Sequence, residues 1–422
     1  MSTSVARRPA IAANLALHEE VEERKAAGQS IIHLGFGEAR LPVFPGLVEQ
    51  LHTAAGFGYA PVAGSREALT EVAGWFSRRA MPTAPDQVVL APGSKPLLYA
   101  LMDAIPGDVV LPRPCWVTYP AQARLARSGS RLVPVPSGSG GVPDPAAYRA
   151  VLETAERQGR PVGSVVLTLP DNPTGALAPG GVVEAVCGIS REHGVVVISD
   201  EIYRDVLHDP AAPFRSPGEL LDDGVVVTAG LSKSHGVGGW RVGTARFTDT
   251  PGGHRLRERV LGLASEVWSS LSGPMQAVAA YAYSEPQDLR EHVRRCTAVH
   301  ASVTCALHGI VERAGACCPR PAGGFYLYPD LEPHRAALSR YGVTDGASLQ
   351  AHLLDTHAVA VLAGAPFGDA PSALRFRAAT SLLYGDTEEE RAEVLRSPTP
   401  AAVPHVRRRL DHLAEVFTAL AG

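Results

Sequence analysis

The chain has 422 residues, 45% of them hydrophobic, and its 39 basic and 43 acidic residues leave a formal net charge of -4. This length is too great for one compact pair of layers, so we expect two domains of an ordinary globular protein. The charges form no basic block, which argues against a nucleic-acid or membrane partner and favours a small-molecule substrate. The apolar runs are only strand-sized and the N-terminus lacks the apolar core of a signal peptide, so we expect a cytoplasmic protein.

Cysteine and lysine are both sparse. None of the six cysteines forms a C-x-x-C pair, which predicts buried free thiols and no metal site. Lysine occurs only at Lys25, Lys95 and Lys233, whereas arginine supplies almost all of the positive charge. An amine can lose its proton and attack a carbonyl, but a guanidinium cannot. Each lysine is therefore a candidate for chemistry that arginine cannot perform.

Short apolar runs alternate with segments of helical period, which predicts an α/β fold with a mainly parallel sheet. In chain order the predicted elements are helix 66–78, strand 87–90, helix 95–104, strand 109–111, helices 120–127 and 145–158, strand 164–169, helix 181–192, and strands 195–200, 225–229 and 242–247. Segment 133–143 is predicted to be a surface loop. After residue 247 the pattern changes. Helices 255–283 and 289–314 and strands 324–328 and 373–378 predict a second, α+β domain.

Polar side chains lie at the ends of three strand candidates that are consecutive in the chain. Strand 164–169 leads to Asn172, strand 195–200 ends at Asp200 and leads to Tyr203, and strand 225–229 leads to Ser232 and Lys233. In open α/β sheets, ligands bind beyond the carboxyl ends of the strands. We therefore expect these five side chains to line one site.

Those side chains are the types that an enzyme of pyridoxal 5'-phosphate (PLP) needs. PLP stabilises a carbanion at the Cα of an amino acid when its ring nitrogen stays protonated. A buried Asp200 facing that nitrogen can keep the proton in place, while Tyr203 and Asn172 can reach the phenolic oxygen of the ring. Lys233 can form a Schiff base with the cofactor and, once displaced by substrate, act as general base and acid over Cα.

A phosphate group needs cations and backbone N–H donors. Arg241 and the hydroxyl of Ser232 suit a phosphate dianion, because a guanidinium can donate two hydrogen bonds at once. Gly93, Ser94 and Lys95 lie between a predicted strand and the helix that follows it. A helix start supplies free N–H groups and a favourable dipole. These five residues are predicted to bind the phosphate.

Taken together, these segments resemble the class I/II aminotransferases, the aspartate aminotransferase-like group of PLP fold-type I enzymes. The resemblance runs from about residue 30 to 381, in the family's order. The matching segments are 34–38, 59–64, 92–95, 114–120, 172–175, 200–203, 232–243, 323–326 and 375–381. It implies a helix-flanked, mainly parallel large domain at 51–275, a small α+β domain at 276–422, and an N-terminal arm at 1–50 that belongs partly to the small domain.

The resemblance also implies roles for further residues. Trp116 falls where the family stacks an aromatic ring on the cofactor, and Tyr59 where a tyrosine reaches the phosphate of the neighbouring subunit. A homodimer with two shared active sites is therefore implied. The substrate is expected to meet Asn172 and the backbone of Gly37, and its α-carboxylate is expected to be gripped by Arg375.

Several positions depart from the family's pattern. The usual Gly-Glu-Pro-Asp-Phe becomes 37–41 with Arg40 in it, which alters a wall of the substrate pocket and can bring this arginine near it. Gly230 stands where many relatives have a phosphate-binding serine or threonine. His235 is either an extra acid/base group or a structural histidine. Segment 382–404 looks longer than usual and receives no role.

The predicted activity is transamination, a ping-pong exchange in which Lys233 moves a proton from Cα to the cofactor and a 2-oxo acid is released. Elimination or replacement, cyclisation, and oxidation of an amino acid begin with the same carbanion and stay open as alternatives. A transcription regulator with an aminotransferase-like module is a third possibility. It would need an N-terminal DNA-binding domain, for which the roughly thirty residues before the first motif are too few.

Overall fold

The computed structural model describes residues 11–53, 58–136 and 138–421. Residues 1–10, to which the expectation about a signal peptide refers, lie outside the described residues. The strands are β1 (Ile32–His33), β2 (Val88–Ala91), β3 (Asp108–Arg113), β4 (Ser130–Pro134), β5 (Val162–Thr168), β6 (Val196–Asp200), β7 (Val225–Gly230), β8 (Gly243–Phe247), β9 (Tyr326–Leu327), β10 (Val359–Ala360), β11 (Leu362–Ala363) and β12 (Phe376–Ala379). The α-helices are α1 (Ala13–Ala26), α2 (Pro45–Thr53), α3 (Arg66–Ser77), α4 (Ser94–Ala104), α5 (Thr118–Leu125), α6 (Pro145–Arg157), α7 (Gly180–Glu192), α8 (Pro217–Leu220), α9 (Leu231–Ser234), α10 (Pro251–Val267), α11 (Gly273–Ser284), α12 (Gln287–Arg313), α13 (Arg335–Ser339), α14 (Gly346–His357), α15 (Glu388–Arg396) and α16 (Pro404–Ala421).

A seven-stranded sheet forms the large domain, in the order β2-β8-β7-β6-β5-β3-β4. β8 runs antiparallel to both of its neighbours, β2 and β7. The other pairs are parallel. The predicted α/β fold with a mainly parallel sheet is confirmed, and β5, β6 and β7 end at the same edge.

Helices cover both faces of this sheet, as the continuous apolar strands require. On one face α3, α6, α7 and α11 pack with the sheet around a core that includes Phe76 and Val165. On the other face α4, α5 and α10 pack around Leu101 and Val166. Because Val165 and Val166 are successive residues of one strand, they point to opposite faces. The strand ends are thus held between two packed layers.

The small domain is built on a three-stranded antiparallel sheet in the order β11-β12-β9. Its core includes Leu307 of α12, Leu353 of α14 and Phe417 of α16. The N-terminal segment joins this domain, since β1 pairs in parallel with β10 and Leu17 of α1 packs in a cluster with Phe367. The domain boundaries near residues 50 and 275 stay predictions.

Two predicted elements differ from the structure. The segment expected to be a loop from residue 133 begins inside β4, which lies at the edge of the sheet and pairs with β3. The single helix expected across 255–283 is two helices, α10 and α11. Ser269 has a left-handed φ of 61°, and proline stands in the first turn of α11, where its missing N–H does no harm. These two features end one helix and start the next.

The cysteines and the helices bear on two expectations from composition. Cys115, Cys187 and Cys296 are buried free thiols, but Cys305 and Cys317 are exposed, so the expectation of burial is wrong for these two. In the described parts of the chain, no helix combines the length and the apolar character needed to cross a membrane.

Candidate active site

A cavity of about 520 Å³ lies at the carboxyl edge of the large sheet, next to the small domain. It collects predicted site residues from strand ends and helix starts that are far apart in the chain. The predicted residues that line it are Gly37, Ser94, Lys95, Trp116, Asn172, Asp200, Tyr203, Ser232, Lys233 and Arg241. A larger cavity of about 960 Å³ lies in the small domain and is lined by none of the predicted site residues.

Lys233 lies in α9, the short helix that directly follows β7. Its Nζ donates a hydrogen bond to the carbonyl oxygen of Gly37, at 2.7 Å, and lies 5.8 Å from the ring centroid of Phe325. No carboxylate of the described residues forms an ion pair with it. The amine is therefore positioned by neutral groups and is free to form a covalent bond.

Asp200 ends β6 and is almost fully buried. Its Oδ2 accepts a hydrogen bond from the hydroxyl of Tyr119, at 2.7 Å, and its Oδ1 accepts one from the backbone N–H of Ile202, at 3.3 Å. Burial raises the pKa of Asp200 to about 6, although the hydrogen bond from Tyr119 acts in the opposite direction. Within the described ranges this carboxylate has no cationic partner, which suits a ligand that brings a positive charge.

Asn172 and Tyr203 line the same cavity as Asp200. Burial, together with the neighbouring Tyr326, raises the pKa of Tyr203 well above its ordinary value. Tyr203 is therefore a hydrogen-bond donor at neutral pH. Asn172 accepts a hydrogen bond from Nη1 of Arg377 on its Oδ1, at 3.2 Å. This contact turns the amide nitrogen of Asn172 away and leaves it to donate elsewhere.

At the predicted phosphate-binding end of the cavity, the segments that contain Gly93 and Gly243 lie in close contact. Gly93 precedes α4 with a left-handed φ of 93°, and a Cβ at this position would collide with the guanidinium of Arg241. A Cβ at Gly243 would collide with the backbone of Gly93 and Ser94. Glycine is thus required where the two segments touch. The result is a helix start with free N–H groups beside a guanidinium, which is an anion site by both charge and geometry.

Lys95 and Trp116 form another wall of the cavity. Nζ of Lys95 lies 5.2 Å from the ring centroid of Trp116. Burial, followed by the nearby charges of Arg241 and Lys233, lowers the pKa of Lys95. Three positive groups thus converge on this end of the cavity, and a bound anion would relieve their mutual repulsion.

The structure does not place Arg375, the predicted carboxylate-binding residue, in the cavity. Its Nε lies 2.8 Å from Oδ2 of Asp330, and its side chain is 42% exposed. Arg377 lines the cavity instead. The predicted substrate arginine therefore does not fit the geometry, because an acidic partner holds Arg375 at the surface.

Arg377 is 2% exposed. Its Nη2 donates to the carbonyl oxygen of Gly35, at 2.8 Å, and its guanidinium lies over the rings of Tyr326 and Phe367, at 4.9 and 5.2 Å. Its Nε is buried without a hydrogen-bond partner, and none of the described carboxylates pairs with it. A buried guanidinium in this state is suited to bind a carboxylate.

Two further predictions concern residues outside the cavity wall. Tyr59 is 99% exposed, so it makes no site within its own chain, and its role at a partner's phosphate stays a prediction. His235 lines a different cavity, with Arg79 and Asp205, and burial lowers its pKa to about 4. Its location favours the structural alternative over an extra acid/base group.

The departures from the family's pattern also have structural reasons. Arg40 does not line the site but forms an ion pair with Glu38, with 2.6 Å between its Nε and Oε2, and only Glu38 reaches the cavity. At Gly230 a Cβ would lie 2.7 Å from the carbonyl oxygen of Val242. A serine or threonine does not fit at this position unless the backbone shifts.

The cavity also contains residues that had received no role. Among them are Tyr119, the partner of Asp200, and Tyr326, which lies beside Arg377. Both lie inside the matching segments 114–120 and 323–326, which was the signal that could have found them. Asn14 and Leu15 of α1 also line the site, but a helix of ordinary composition offers no such signal.

Comparison with known proteins decides the family. The family described as aminotransferase class I and II matches residues 30–383. The chain belongs to this family. The aspartate aminotransferase of Geobacillus stearothermophilus is 31% identical over 396 residues, which cover 90% of this chain and 94% of that protein. The arginine–pyruvate transaminase AruH of Pseudomonas aeruginosa is 30% identical, over 85% of this chain and 87% of its own length.

The fold of this aminotransferase has solved counterparts. The aspartate aminotransferase of Thermus thermophilus with maleate has a TM-score of 0.82 and 25% sequence identity, over 98% of this chain and 100% of that one. The predicted family, the fold type and the enzyme class are confirmed. Members of the family generally use PLP. The binding of PLP by this chain and the role of each site residue are proposals.

Proposed function

We propose that this aminotransferase binds PLP through Lys233 and exchanges the amino group of a free α-amino acid for the oxo group of a 2-oxo acid. One observation supports it above all. The amine of Lys233, the carboxylate of Asp200 and the guanidinium of Arg377 line one cavity, and each lacks an ionic partner in the described chain. These three groups are complementary to an aldehyde, a protonated ring nitrogen and an α-carboxylate.

The donor set fits the cofactor. When bound, PLP supplies an aldehyde that captures amino groups and a ring that withdraws electrons from Cα. Asp200 would accept a hydrogen bond from the N–H of the ring. Burial raises the pKa of this carboxyl, so a positive partner would stabilise its ionised form. Tyr203 and the amide nitrogen of Asn172 would donate to the ring oxygen. Trp116 would cover the ring face.

The phosphate would lie at the start of α4. Backbone N–H groups near Ser94, the hydroxyl of Ser232 and the guanidinium of Arg241 are the donors that line this end. Gly93 and Gly243 allow the close approach, since a Cβ at either position would collide with a neighbouring segment. Lys95 adds a further positive charge. We propose these residues as the phosphate site.

The proton transfer falls to Lys233. Its side chain lines the cavity, and its Nζ lies 2.7 Å from the carbonyl oxygen of Gly37. Once substrate has displaced this amine, it would take the proton from Cα as a general base and deliver it, as a general acid, to the carbon that was the cofactor's aldehyde. The carbonyl of Gly37 would hold the amine over the reacting carbon.

The substrate would be oriented by Arg377 rather than by Arg375. Its buried guanidinium can grip an α-carboxylate with two parallel hydrogen bonds, and its contact with Asn172 connects substrate and cofactor subsites. Glu38 and Lys95 also line the cavity and have opposite charges. Relatives are named for aspartate and for arginine, so a donor panel needs both acidic and basic amino acids.

We also propose that the enzyme works as a homodimer. Tyr59, which matches a family tyrosine that contacts the neighbouring subunit, is almost completely exposed in the single chain and so is accessible to a partner. In the dimer it would reach the phosphate of the partner's cofactor. Light scattering would give the mass of the assembly, and a monomer with full activity would contradict this part of the proposal.

A half-reaction tests the central proposal. Purified protein is saturated with PLP and mixed with single amino acids, and the cofactor's absorbance and the released 2-oxo acid are followed. We expect conversion to the pyridoxamine form with at least one donor, and return with a 2-oxo acid. Lys233→Ala should show neither the linked cofactor's visible band nor turnover. A protein that binds no PLP, or one whose Lys233→Ala variant behaves as the parent does, refutes the proposal.

A further inference from the structure

Tyr326 is a buried residue of β9 that the proposed mechanism does not use. It is 1% exposed and lines the active cavity. Its hydroxyl lies 2.8 Å from that of Tyr203, and its ring lies 4.9 Å below the guanidinium of Arg377. A Cβ at Gly37 would collide with the same hydroxyl. One side chain thus touches a proposed cofactor residue, the proposed substrate arginine, and the segment that holds Lys233.

The hydroxyl contact has a direction once the cofactor is considered. A phenol has one proton to donate. If Tyr203 gives its proton to the ring oxygen, the hydrogen bond between the two tyrosines must be donated by Tyr326. Tyr203 is the only hydrogen-bond partner of the Tyr326 hydroxyl in the described part of the chain. Such a second donor polarises the first and strengthens its hydrogen bond.

The ring contact answers a different need. A buried guanidinium is costly unless it is paired, yet a carboxylate partner would neutralise the charge that the substrate requires. The aromatic rings of Tyr326 and Phe367 stabilise Arg377 through their negative faces. They supply no formal charge. Arg377 therefore stays in place and remains available to a carboxylate ligand.

We propose that Tyr326 is a positioning residue with two separable roles: its hydroxyl orients the Tyr203 hydroxyl toward the cofactor's ring oxygen, and its ring seats Arg377 for the substrate α-carboxylate. This inference rests on the proposed function. Two substitutions separate the roles. Tyr326→Phe removes the hydroxyl and keeps the ring, whereas Tyr326→Leu removes both.

The first readout is the pH midpoint of the visible absorbance of bound cofactor, measured without substrate. In Tyr203→Phe, loss of a hydrogen bond to an anionic oxygen should raise this midpoint by about 1–2 pH units. The oxygen is then more negative and holds the proton on the nitrogen from Lys233 more tightly. In Tyr326→Phe the midpoint should rise by about 10–30% of that amount, a few tenths of a pH unit. In the double variant, Tyr326→Phe should add nothing to the shift of Tyr203→Phe.

The second readout is KM for the amino donor, compared with kcat. Tyr326→Phe should leave KM nearly unchanged. Tyr326→Leu should raise KM by about 2- to 30-fold, the value of one cation–π contact, and should raise the dissociation constant of a carboxylate inhibitor such as maleate by the same factor. Tyr328→Phe is the matched control, because its hydroxyl is buried against Asp369 outside the cavity. It should change neither readout.

The outcomes are distinct. An unchanged midpoint in Tyr326→Phe, or an equal shift in Tyr328→Phe, overturns the hydroxyl role. Equal KM values for the phenylalanine and leucine variants overturn the ring role. If the parent protein binds no PLP and shows no absorbance band, the proposed function itself fails, and this result is recognised before any variant is made. Circular dichroism identifies a variant that has not folded, and the milder Tyr326→Phe still tests the hydroxyl.

Discussion

Arg375 and Arg377 offer a pair of matched substitutions with opposite expected effects. Arg377→Gln removes a buried guanidinium that faces the cavity and has no acidic partner. Arg375→Gln removes a half-exposed guanidinium that is paired with Asp330. The two positions are separated by a single residue, so a general disturbance of β12 would affect both variants.

The magnitudes follow from the two environments. Losing one partner of a buried, hydrogen-bonded charge pair costs about 2–5 kcal/mol, so kcat/KM of Arg377→Gln should fall by about 30- to 5,000-fold. An exposed ion pair contributes about 0–1 kcal/mol, so Arg375→Gln should lower the free energy of unfolding by at most that amount and leave kcat/KM within about twofold.

The stability of Arg377→Gln should not fall along with its activity. Burial lowers the pKa of Arg377, which means that the folded chain disfavours its charge, and an unpaired buried charge reduces stability. Without cofactor or substrate, Arg377→Gln should therefore be at least as stable as the parent protein. Urea denaturation gives the free energies of unfolding, and the half-reaction gives kcat/KM. If Arg375→Gln lowers kcat/KM and Arg377→Gln does not, the assignment of the substrate arginine is wrong.

Three more substitutions test other parts of the site and its surroundings. Asp200→Asn keeps the shape and the Tyr119 contact but removes the charge, and it should lower kcat by at least about 100-fold while the cofactor still binds, as the visible band would show. Asp171 has a pKa raised to about 7 by burial, above its unfolded value, so its contribution to stability is full below pH 3.8 and is lost as the pH rises to 7. The unfolding free energy of the parent relative to Asp171→Asn should therefore fall by up to about 4 kcal/mol between pH 4 and pH 8, and a constant difference would contradict this. Gly230→Ser should lower stability by about 1–3 kcal/mol, because its Cβ would lie 2.7 Å from the Val242 carbonyl; a tighter PLP affinity from its new hydroxyl would contradict the steric argument.

The strand-end residues were predictable because of the geometry of parallel sheets. Asp200 ends a strand, and Asn172 and Lys233 each follow one, and the apolar runs of these strands were visible in the sequence. Parallel neighbours end at one edge, so the three side chains had to meet whatever their separation in the chain. The scarcity of lysine in an arginine-rich sequence then pointed to Lys233 as the candidate amine. The same reasoning could not reach Asn14, because nothing local indicates that α1 packs over this edge.

The structure favours Arg377 over the predicted Arg375 for a reason that also lies in strand geometry. Arg375 and Arg377 are two residues apart, so they project from the same side of the extended chain. A rise of about 3.3 Å per residue separates them by roughly 7 Å along the strand, and only one can face the cavity. Asp330 pairs with Arg375 and holds it away from the cavity. Since Asp330 lies 45 residues earlier in the chain, only the folded structure could show that pair.

The contrast between the two arginines also describes the proposed site as a set of charges without ionic partners in the described chain. Lys233, Asp200 and Arg377 each lie where ordinary folding would demand a partner, and the chain instead supplies neutral groups: the Gly37 carbonyl, the Tyr119 hydroxyl and the rings of Tyr326 and Phe367. Neutral partners hold a side chain in place without cancelling its charge. An arginine with an acidic neighbour, such as Arg375, is therefore less suited to bind a substrate carboxylate, because its charge is already paired. In the proposed function, the ligand brings the opposite charges. Its binding therefore removes the free-energy cost of burying these unpaired groups.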